Sequence, residues 1–110
     1  MYVNEETIKA TVTAYDQQAF PGRNAAGYLA VVDYSTACPR SIPLFSRLYS
    51  YYGWKPSSAI CDDRTALRFD GRFDRFVATR KEAVEWGIHE NQDITIIYPR
   101  GKPREEMMQF

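Results

Sequence analysis

The stretch PLFSRLYSYYG, residues 43–53, decides the predicted fold class. A proline at its start is compatible with the first turn of a helix, and Gly53 is a typical helix stop. A helix over residues 43–52 would place large apolar side chains on one stripe, which is the pattern of a helix packed against a sheet. These side chains are Leu44, Phe45, Leu48, Tyr51 and Tyr52. The stretch therefore predicts a helix in the middle of the chain, with Arg47 and Tyr49 facing outward.

Segments on both sides of this stretch have the composition of strands. Residues 7–15, TIKATVTAY, alternate between two faces, and residues 28–34, YLAVVDY, are rich in β-branched and aromatic side chains. The Asp-Gly pair at 70–71 predicts a hairpin within residues 65–79, TALRFDGRFDRFVAT. The apolar run DITIIYP, residues 93–99, predicts a last strand inside the sheet.

A second helix is predicted from a helix-start signal. Thr79 followed three residues later by Glu82 matches a capping box, and Gly87 offers a stop after residues 80–86. The order ββαββαβ predicts an α+β domain over residues 1–100, with a mainly antiparallel sheet of about five strands and two short helices on one face. We predict a mobile tail over residues 101–110, and an unpaired sheet edge would allow a homodimer.

Composition limits the class of protein. The chain has 110 residues, which suits one domain, and 45% hydrophobic content with 15% aromatic residues is ample for a core. Fourteen basic and 14 acidic residues balance, which argues against a dedicated non-specific nucleic-acid binder. The start MYVNEETIKA lacks the features of a secretory signal and no apolar run is long enough to span a membrane, so we predict a cytoplasmic protein with reduced Cys38 and Cys61.

A basic and aromatic region predicts a partner-binding surface. Residues 37–61 contain three bases and no acid, and arginines alternate with aspartates from residue 64 onward. Aromatic and arginine side chains are typical of interface hot spots, and guanidinium groups bind phosphates and carboxylates. The predicted surface consists of Arg40, Arg47, Tyr49, Trp54, Lys55, Arg64, Arg68 and Arg72. Two alternatives stay open: salt bridges from the arginines to Asp70 and Asp74, and a tryptophan packed under a loop.

Motifs for catalysis, metals and cofactors are weak. One histidine and two distant cysteines do not match a zinc site, no glycine-rich phosphate loop is present, and His89 is interpreted as a loop residue. Asp62 and Asp63 are interpreted as solvating loop charges. We therefore predict a small non-enzymatic binding protein without metal or cofactor, an adaptor, subunit or inhibitor such as mobile genetic elements encode. Its partner would be another protein, and the alternative is a nucleic acid bound at the same surface.

A third hypothesis concerns a metal-dependent nuclease. A strand ending TAYD, the segment AAGYLAVVDY, a helix with Glu82 and the strand DITIIYP resemble the ribonuclease H family. That resemblance implies two metal ions held by carboxylates, with Asp16 and Glu82 in two of the positions. The third position falls on Pro99, which cannot be a ligand, and a helix and a hairpin interrupt the family's spacing. An enzyme of this kind would need a pocket where Asp16, Glu82 and Asp62 or Asp63 converge.

Overall fold

The computed structural model describes residues 5–17, 22–50 and 58–99. These residues form six strands, one α-helix and one 3-10 turn, at Leu67–Phe69. The elements are β1 (Glu5–Tyr15), β2 (Ser35–Cys38), β3 (Arg47–Ser50), β4 (Ser58–Arg64), β5 (Arg72–Phe76), α1 (Arg80–Trp86) and β6 (His89–Ile97). The strands close into a barrel in the order β1-β5-β2-β4-β3-β6, and β6 pairs with β1.

The barrel mixes parallel and antiparallel pairs. β1 with β5 and β2 with β4 are parallel, and the other four neighbouring pairs are antiparallel. The longest ladder joins β1 to β6, from Glu5 opposite Ile97 to Val12 opposite His89. Closure in this order leaves no unpaired edge among the described strands.

The barrel interior is the main hydrophobic core. Every strand contributes to it, with side chains that include Val12, Leu48, Phe73, Ile94 and Ile96. Burial of these apolar surfaces supplies the main stabilisation of the fold, at roughly 25 cal/mol per Å². A smaller cluster of Tyr15, Ala37 and Phe76, with Ala30 against it, lies outside this core.

Cys38 and Cys61 form a disulfide bond, so the prediction of two reduced thiols is wrong. Both residues are 0% exposed in the barrel core. Their strands, β2 and β4, are neighbours, which brings the two Cα atoms to 5.7 Å, within the usual range for a disulfide. The two cysteines are 23 residues apart in the sequence, and that spacing does not predict that their strands are neighbours.

The predicted α+β fold is wrong, because the sheet closes into a barrel and the described residues contain one α-helix instead of two. The predicted helix over residues 43–52 is the main error, since Arg47–Ser50 is a strand paired with β4 and β6. Ser46 and Leu48 are buried while Arg47 and Tyr49 are exposed, which is the period of a strand. Phe45 has a φ of 72°, which no α-helix accommodates.

Other predicted elements had mixed outcomes. The helix over residues 80–86 is confirmed, with the Thr79 side chain accepting a hydrogen bond from the Glu82 amide. Strands β1 and β6 lie close to their predicted positions. The predicted strand over residues 28–34 is wrong, because residues 32–34 form a turn and β2 begins at Ser35. The predicted hairpin at 70–71 is also wrong, since β5 pairs with β1 and β2.

The described residues form this one barrel, and the predicted mobile tail, residues 101–110, lies outside them. Within the described ranges, no helix has the length and apolar character needed to cross a membrane.

Candidate functional site

A row of four residues crosses the wall of the barrel on consecutive strands β1, β5, β2 and β4. The row consists of Thr13, Asp74, Ala37 and Asp63. Residues paired side by side project from the same face of a sheet, and successive residues alternate between faces. Because Val12, Phe73 and Cys38 lie in the barrel core, the row projects from the outer face. The row therefore carries two carboxyl groups on one face.

Asp74 is an acid with an altered pKa. Burial raises the pKa of its carboxyl to about 6 from an ordinary 3.8, and the charge of Asp63 acts in the same direction. The hydroxyl of Thr13 donates to Asp74 Oδ1 at 3.0 Å and, with Arg72, opposes the increase. A carboxyl with such a pKa can donate a proton near neutral pH, which is the requirement for a general acid.

Asp63 accepts hydrogen bonds from three directions. Its Oδ1 accepts from the amides of Ala25 at 3.0 Å and Arg64 at 2.9 Å, and its Oδ2 accepts from the Tyr15 hydroxyl at 3.4 Å. Both oxygens of Asp63 therefore act as acceptors. Asp63 is 3% exposed, so these donors and not bulk water surround its carboxyl group.

Tyr15 links the carboxylates to the aromatic cluster. Its ring meets the Phe76 ring edge-on at 5.2 Å, and its hydroxyl reaches Asp63. Burial first, and then the negative charges of Asp63, Asp62 and Asp74, raise the pKa of the Tyr15 hydroxyl well above its ordinary range. The phenol is therefore a neutral donor at every physiological pH.

Asp62 holds the start of β2 and the segment before it against the barrel through hydrogen bonds. Its Oδ2 accepts from the Ser35 hydroxyl at 2.5 Å, and its Oδ1 accepts from the Thr36 amide at 3.2 Å. Its backbone carbonyl accepts from the Ala26 amide at 2.9 Å. Burial raises the pKa of the Asp62 carboxyl, and hydrogen bonds from Ser35 and Tyr28 oppose this increase. Asp62 thus serves the structure of the site, while Asp63 faces Asp74 across Ala37.

A cavity of about 380 Å³ lies beside α1. Asp33, Arg75, Val77, Glu82, Glu85 and Trp86 line it. Arg75 Nη2 donates to Asp33 Oδ1 at 2.7 Å, and the guanidinium group lies 5.0 Å from the centre of the Trp86 ring. The Glu82 carboxylate accepts from the Ala78 amide at the start of the helix. These charges are used in holding α1 and the segment before β2 against the barrel.

Four predicted surface arginines lie around the 3-10 turn. Arg68 and Arg72 place their guanidinium groups 4.8 and 5.0 Å from the centre of the Phe69 ring. Arg40 donates to the Thr65 carbonyl at 3.1 Å and pairs with Asp70 at 3.7 Å. Arg64 donates to the Pro39 carbonyl at 2.9 Å, so it holds the chain internally. Of these four residues, Arg68 is exposed, and Arg72 is half-buried beside the same Phe69 ring.

The remaining predicted surface residues lie elsewhere or outside the described ranges. Arg47 and Tyr49 are exposed on β3. Arg47 is opposite Ile60, which places it four residues along β4 from Arg64, roughly 13 Å away. Trp54 and Lys55 lie outside the described residues. The described members of the predicted surface thus form two groups and not one.

The carboxylates of the nuclease hypothesis do not converge in the described part of the chain. Asp16 pairs with Arg80 at 3.6 Å and lines small cavities with residues of the α1 start. Glu82 serves as a helix cap, while Asp62 and Asp63 are buried on β4 and not in a loop. Among residues 5–17, 22–50 and 58–99, no three His, Cys, Asp or Glu side chains are placed to hold a metal ion.

The pair of Asp63 and Asp74 was missed by sequence reasoning. The sequence predicts segment RFDRF, residues 72–76, as part of a hairpin, and a salt bridge from the arginines to Asp74 is one of the alternatives that it leaves open. Its buried neighbours Phe73 and Phe76 were the available signal that Asp74 lies on a covered strand.

Comparisons with protein-family models, with curated proteins and with solved structures found no match to this chain.

Proposed function

We propose that this protein is an acid–base enzyme that cleaves glycosidic bonds in a polysaccharide. The observation that supports the proposal is the placement of Asp63 and Asp74 on one outer row, where burial raises the pKa of Asp74 and three donors contact the carboxyl group of Asp63. Most glycoside hydrolases use two carboxyl groups, one as a general acid and the other as a base, nucleophile or stabilising charge.

Asp74 is the proton donor in this mechanism. With a pKa of about 6, a useful fraction of the carboxyl is protonated at neutral pH and can protonate the leaving glycosidic oxygen. Asp63 is the fixed negative charge that stabilises positive charge developing on the sugar ring. The two residues occupy strands two positions apart, so their Cα atoms are separated by roughly 10 Å.

Other reaction classes have less support. A serine or cysteine nucleophile needs a base, and the only histidine in the chain, His89, hydrogen-bonds the Trp86 carbonyl at 2.7 Å. Both cysteines are in the disulfide. A pair of aspartates that share one proton, as in aspartic proteases, needs carboxyl groups about 3 Å apart, and Asp63 and Asp74 belong to strands that are not adjacent.

Cleavage of defined glycans tests the proposal. The full chain and its Asp74→Asn and Asp63→Asn variants are incubated with oligomers of glucose and of N-acetylglucosamine, and with bacterial peptidoglycan, and products are measured by mass spectrometry. We expect cleavage by the wild type and a loss of at least about 100-fold in Asp74→Asn. Asp93→Asn, which changes an aspartate on β6 that pairs with Lys9 outside the row, is the control and should keep full activity. Failure to cleave any of these glycans, or full activity of Asp74→Asn, would contradict the proposal.

The predicted binding function is a second proposal, in which the protein is a non-enzymatic adaptor, subunit or inhibitor. Phe69 between Arg68 and Arg72, together with a 75% exposed Leu67, is the observation that favours it. Such a group can contact a protein or stack a base. Titration with single-stranded RNA and DNA at several salt concentrations distinguishes these partners, because nucleic-acid affinity through arginines falls steeply with salt. The variant Phe69→Ala should lose binding in either case, while an unchanged affinity would count against this surface.

The disulfide also bears on the compartment in which the protein works. The sequence predicts the cytoplasm, where thiols are kept reduced, whereas a structural disulfide persists in oxidising compartments. We therefore propose an oxidising compartment as the working environment. Alkylation of thiols in acid-quenched cells, followed by mass spectrometry, should find Cys38 and Cys61 protected; alkylation of both would favour the cytoplasm.

A further inference from the structure

The bulge between β2 and β4 sets the direction of Asp63. Thr36 pairs with Cys61 and Ala37 pairs with Asp63, so Asp62 is an extra residue on β4. Ala59 and Cys61 lie in the barrel core, so strict alternation would also turn residue 63 inward. The extra residue resets the alternation, and Asp62 and Asp63 both project from the outer face.

The disulfide spans this bulge from the inside. Cys61 is the last core residue before the register changes, and Cys38 follows Ala37, the first residue paired after the change. Their bond therefore connects the part of β4 before the bulge to the part of β2 after it. A shift of β4 by one residue along β2 would have to displace this bond from its place in the core.

We infer that the Cys38–Cys61 disulfide is a positioning element of the candidate site, which holds the bulge in register and thereby keeps Asp63 on the same face as Asp74. Its importance for catalysis rests on the proposed function, but its effect on geometry does not. Without the bond, β4 can exchange between the bulged register and one shifted by a single residue. Such a shift moves every side chain of the segment to the opposite face.

Two backbone amides report on this geometry without any substrate. The Ala25 amide donates to Asp63 at 3.0 Å, and the Thr36 amide donates to Asp62 at 3.2 Å. Both hydrogen bonds exist only while the bulge is in register. The β1–β6 ladder, which includes Ile96 opposite Glu6, belongs to the opposite wall of the barrel and serves as the internal reference.

The test is amide hydrogen exchange, measured by NMR on the wild type, on Cys38→Ala/Cys61→Ala, and on Ile94→Ala. The last variant creates a cavity in the same core from β6, on the other side of the barrel from the β2–β4 pair, and controls for general loss of stability. In the disulfide variant we expect exchange at Ala25 and Thr36 to accelerate at least about tenfold relative to Ile96. In Ile94→Ala we expect no such preference for the bulge.

Uniform acceleration across the barrel, or unchanged protection at Ala25 and Thr36, would show that the bond only adds stability and would overturn the inference. If the double alanine variant does not fold, Cys38→Ala/Cys61→Val, which restores core volume, is measured in the same way. Because no glycan is used, the result is independent of the test of glycoside cleavage. If Asp74→Asn loses glycan cleavage while the disulfide variant keeps the wild-type exchange at Ala25 and Thr36, the proposed function is supported and the inference about the disulfide is overturned.

Discussion

The hydroxyl of Thr13 tunes the acidity of Asp74 from the neighbouring strand. A hydrogen bond to a carboxylate favours the charged form, so Thr13 works against the burial that raises the Asp74 pKa. This arrangement places the acid between the ordinary range and the value that burial alone would impose. A small change on β1 should therefore alter the chemistry on β5.

The variant Thr13→Val keeps the shape of the side chain and removes its hydroxyl. We expect the pKa of Asp74 to increase by about one to two units, since a hydrogen bond to a charged group contributes about 1.5–3 kcal/mol. A carboxyl carbon NMR titration measures it. Thr7→Val is the matched control, because Thr7 also lies on β1 but its hydroxyl is hydrogen-bonded to Thr95 of β6; it should leave the pKa of Asp74 unchanged. An unchanged or lowered pKa in Thr13→Val would contradict this account.

The raised pKa of Asp74 also predicts a stability cost that depends on pH. The folded state holds the proton more tightly than the unfolded state, so stability is lost as pH rises from about 4 through 6. Asp74→Asn does not titrate, and its free energy of unfolding relative to the wild type should increase by up to about 3 kcal/mol between pH 4 and pH 7.

Urea unfolding at pH 4, 5, 6 and 7 measures this difference, with Glu90→Gln as an exposed control that should follow the wild type. A difference that stays constant with pH would show that Asp74 has the same pKa in the folded and unfolded states.

Residue identities alone showed only part of the site. The sequence shows Asp62 and Asp63 as adjacent acids. Their different roles depend on the β-bulge, in which Asp62 is the extra residue and Asp63 pairs with Ala37. Asp74 is recognised as a candidate site residue only from its pairing with Thr13 and Ala37, which are 61 and 37 residues away in the chain. Such neighbours come from the order of strands in the barrel, and no local pattern contains that order.

At the scale of elements, local signals worked where local contacts decide the structure. The helix Arg80–Trp86 has its capping residue, its first-turn glutamate and its terminal glycine within nine positions, and it was predicted correctly. Residues 47–50 form a strand because β4 and β6 pair with them from both sides. Tertiary pairing overrode a helical spacing of apolar residues that was only ten residues long.

The helix cap gives a prediction at this scale. Thr79→Ala removes the side chain that accepts from the Glu82 amide at 3.1 Å and should lower the free energy of unfolding by about 1 kcal/mol. Thermal unfolding measures the loss, and Thr79→Ser, which retains the hydroxyl, should recover most of it. Equal stability of the alanine and serine variants would indicate that the packing of α1 against β1, and not the cap, fixes the helix.

At the scale of the whole molecule, closure of the barrel removes the route to a dimer that the predicted open sheet offered. The described strands are all paired on both sides, so no strand edge among them is free to recruit a second copy. We expect a monomer when size-exclusion chromatography is coupled to light scattering. A stable dimer would have to use another surface, and substitution of Leu67 and Phe69 by serine would then be expected to dissociate it.

The ladder between β1 and β6 has a consequence for engineering. Because Glu5 is paired with Ile97, the first and last described strands enter and leave the fold side by side. A domain whose ends are neighbours can be circularly permuted or placed within a surface loop of a host protein with little distortion of either. The exposed connection at Gly87 and Ile88 offers a place to open a permuted chain without cutting the strands that carry Asp63 and Asp74.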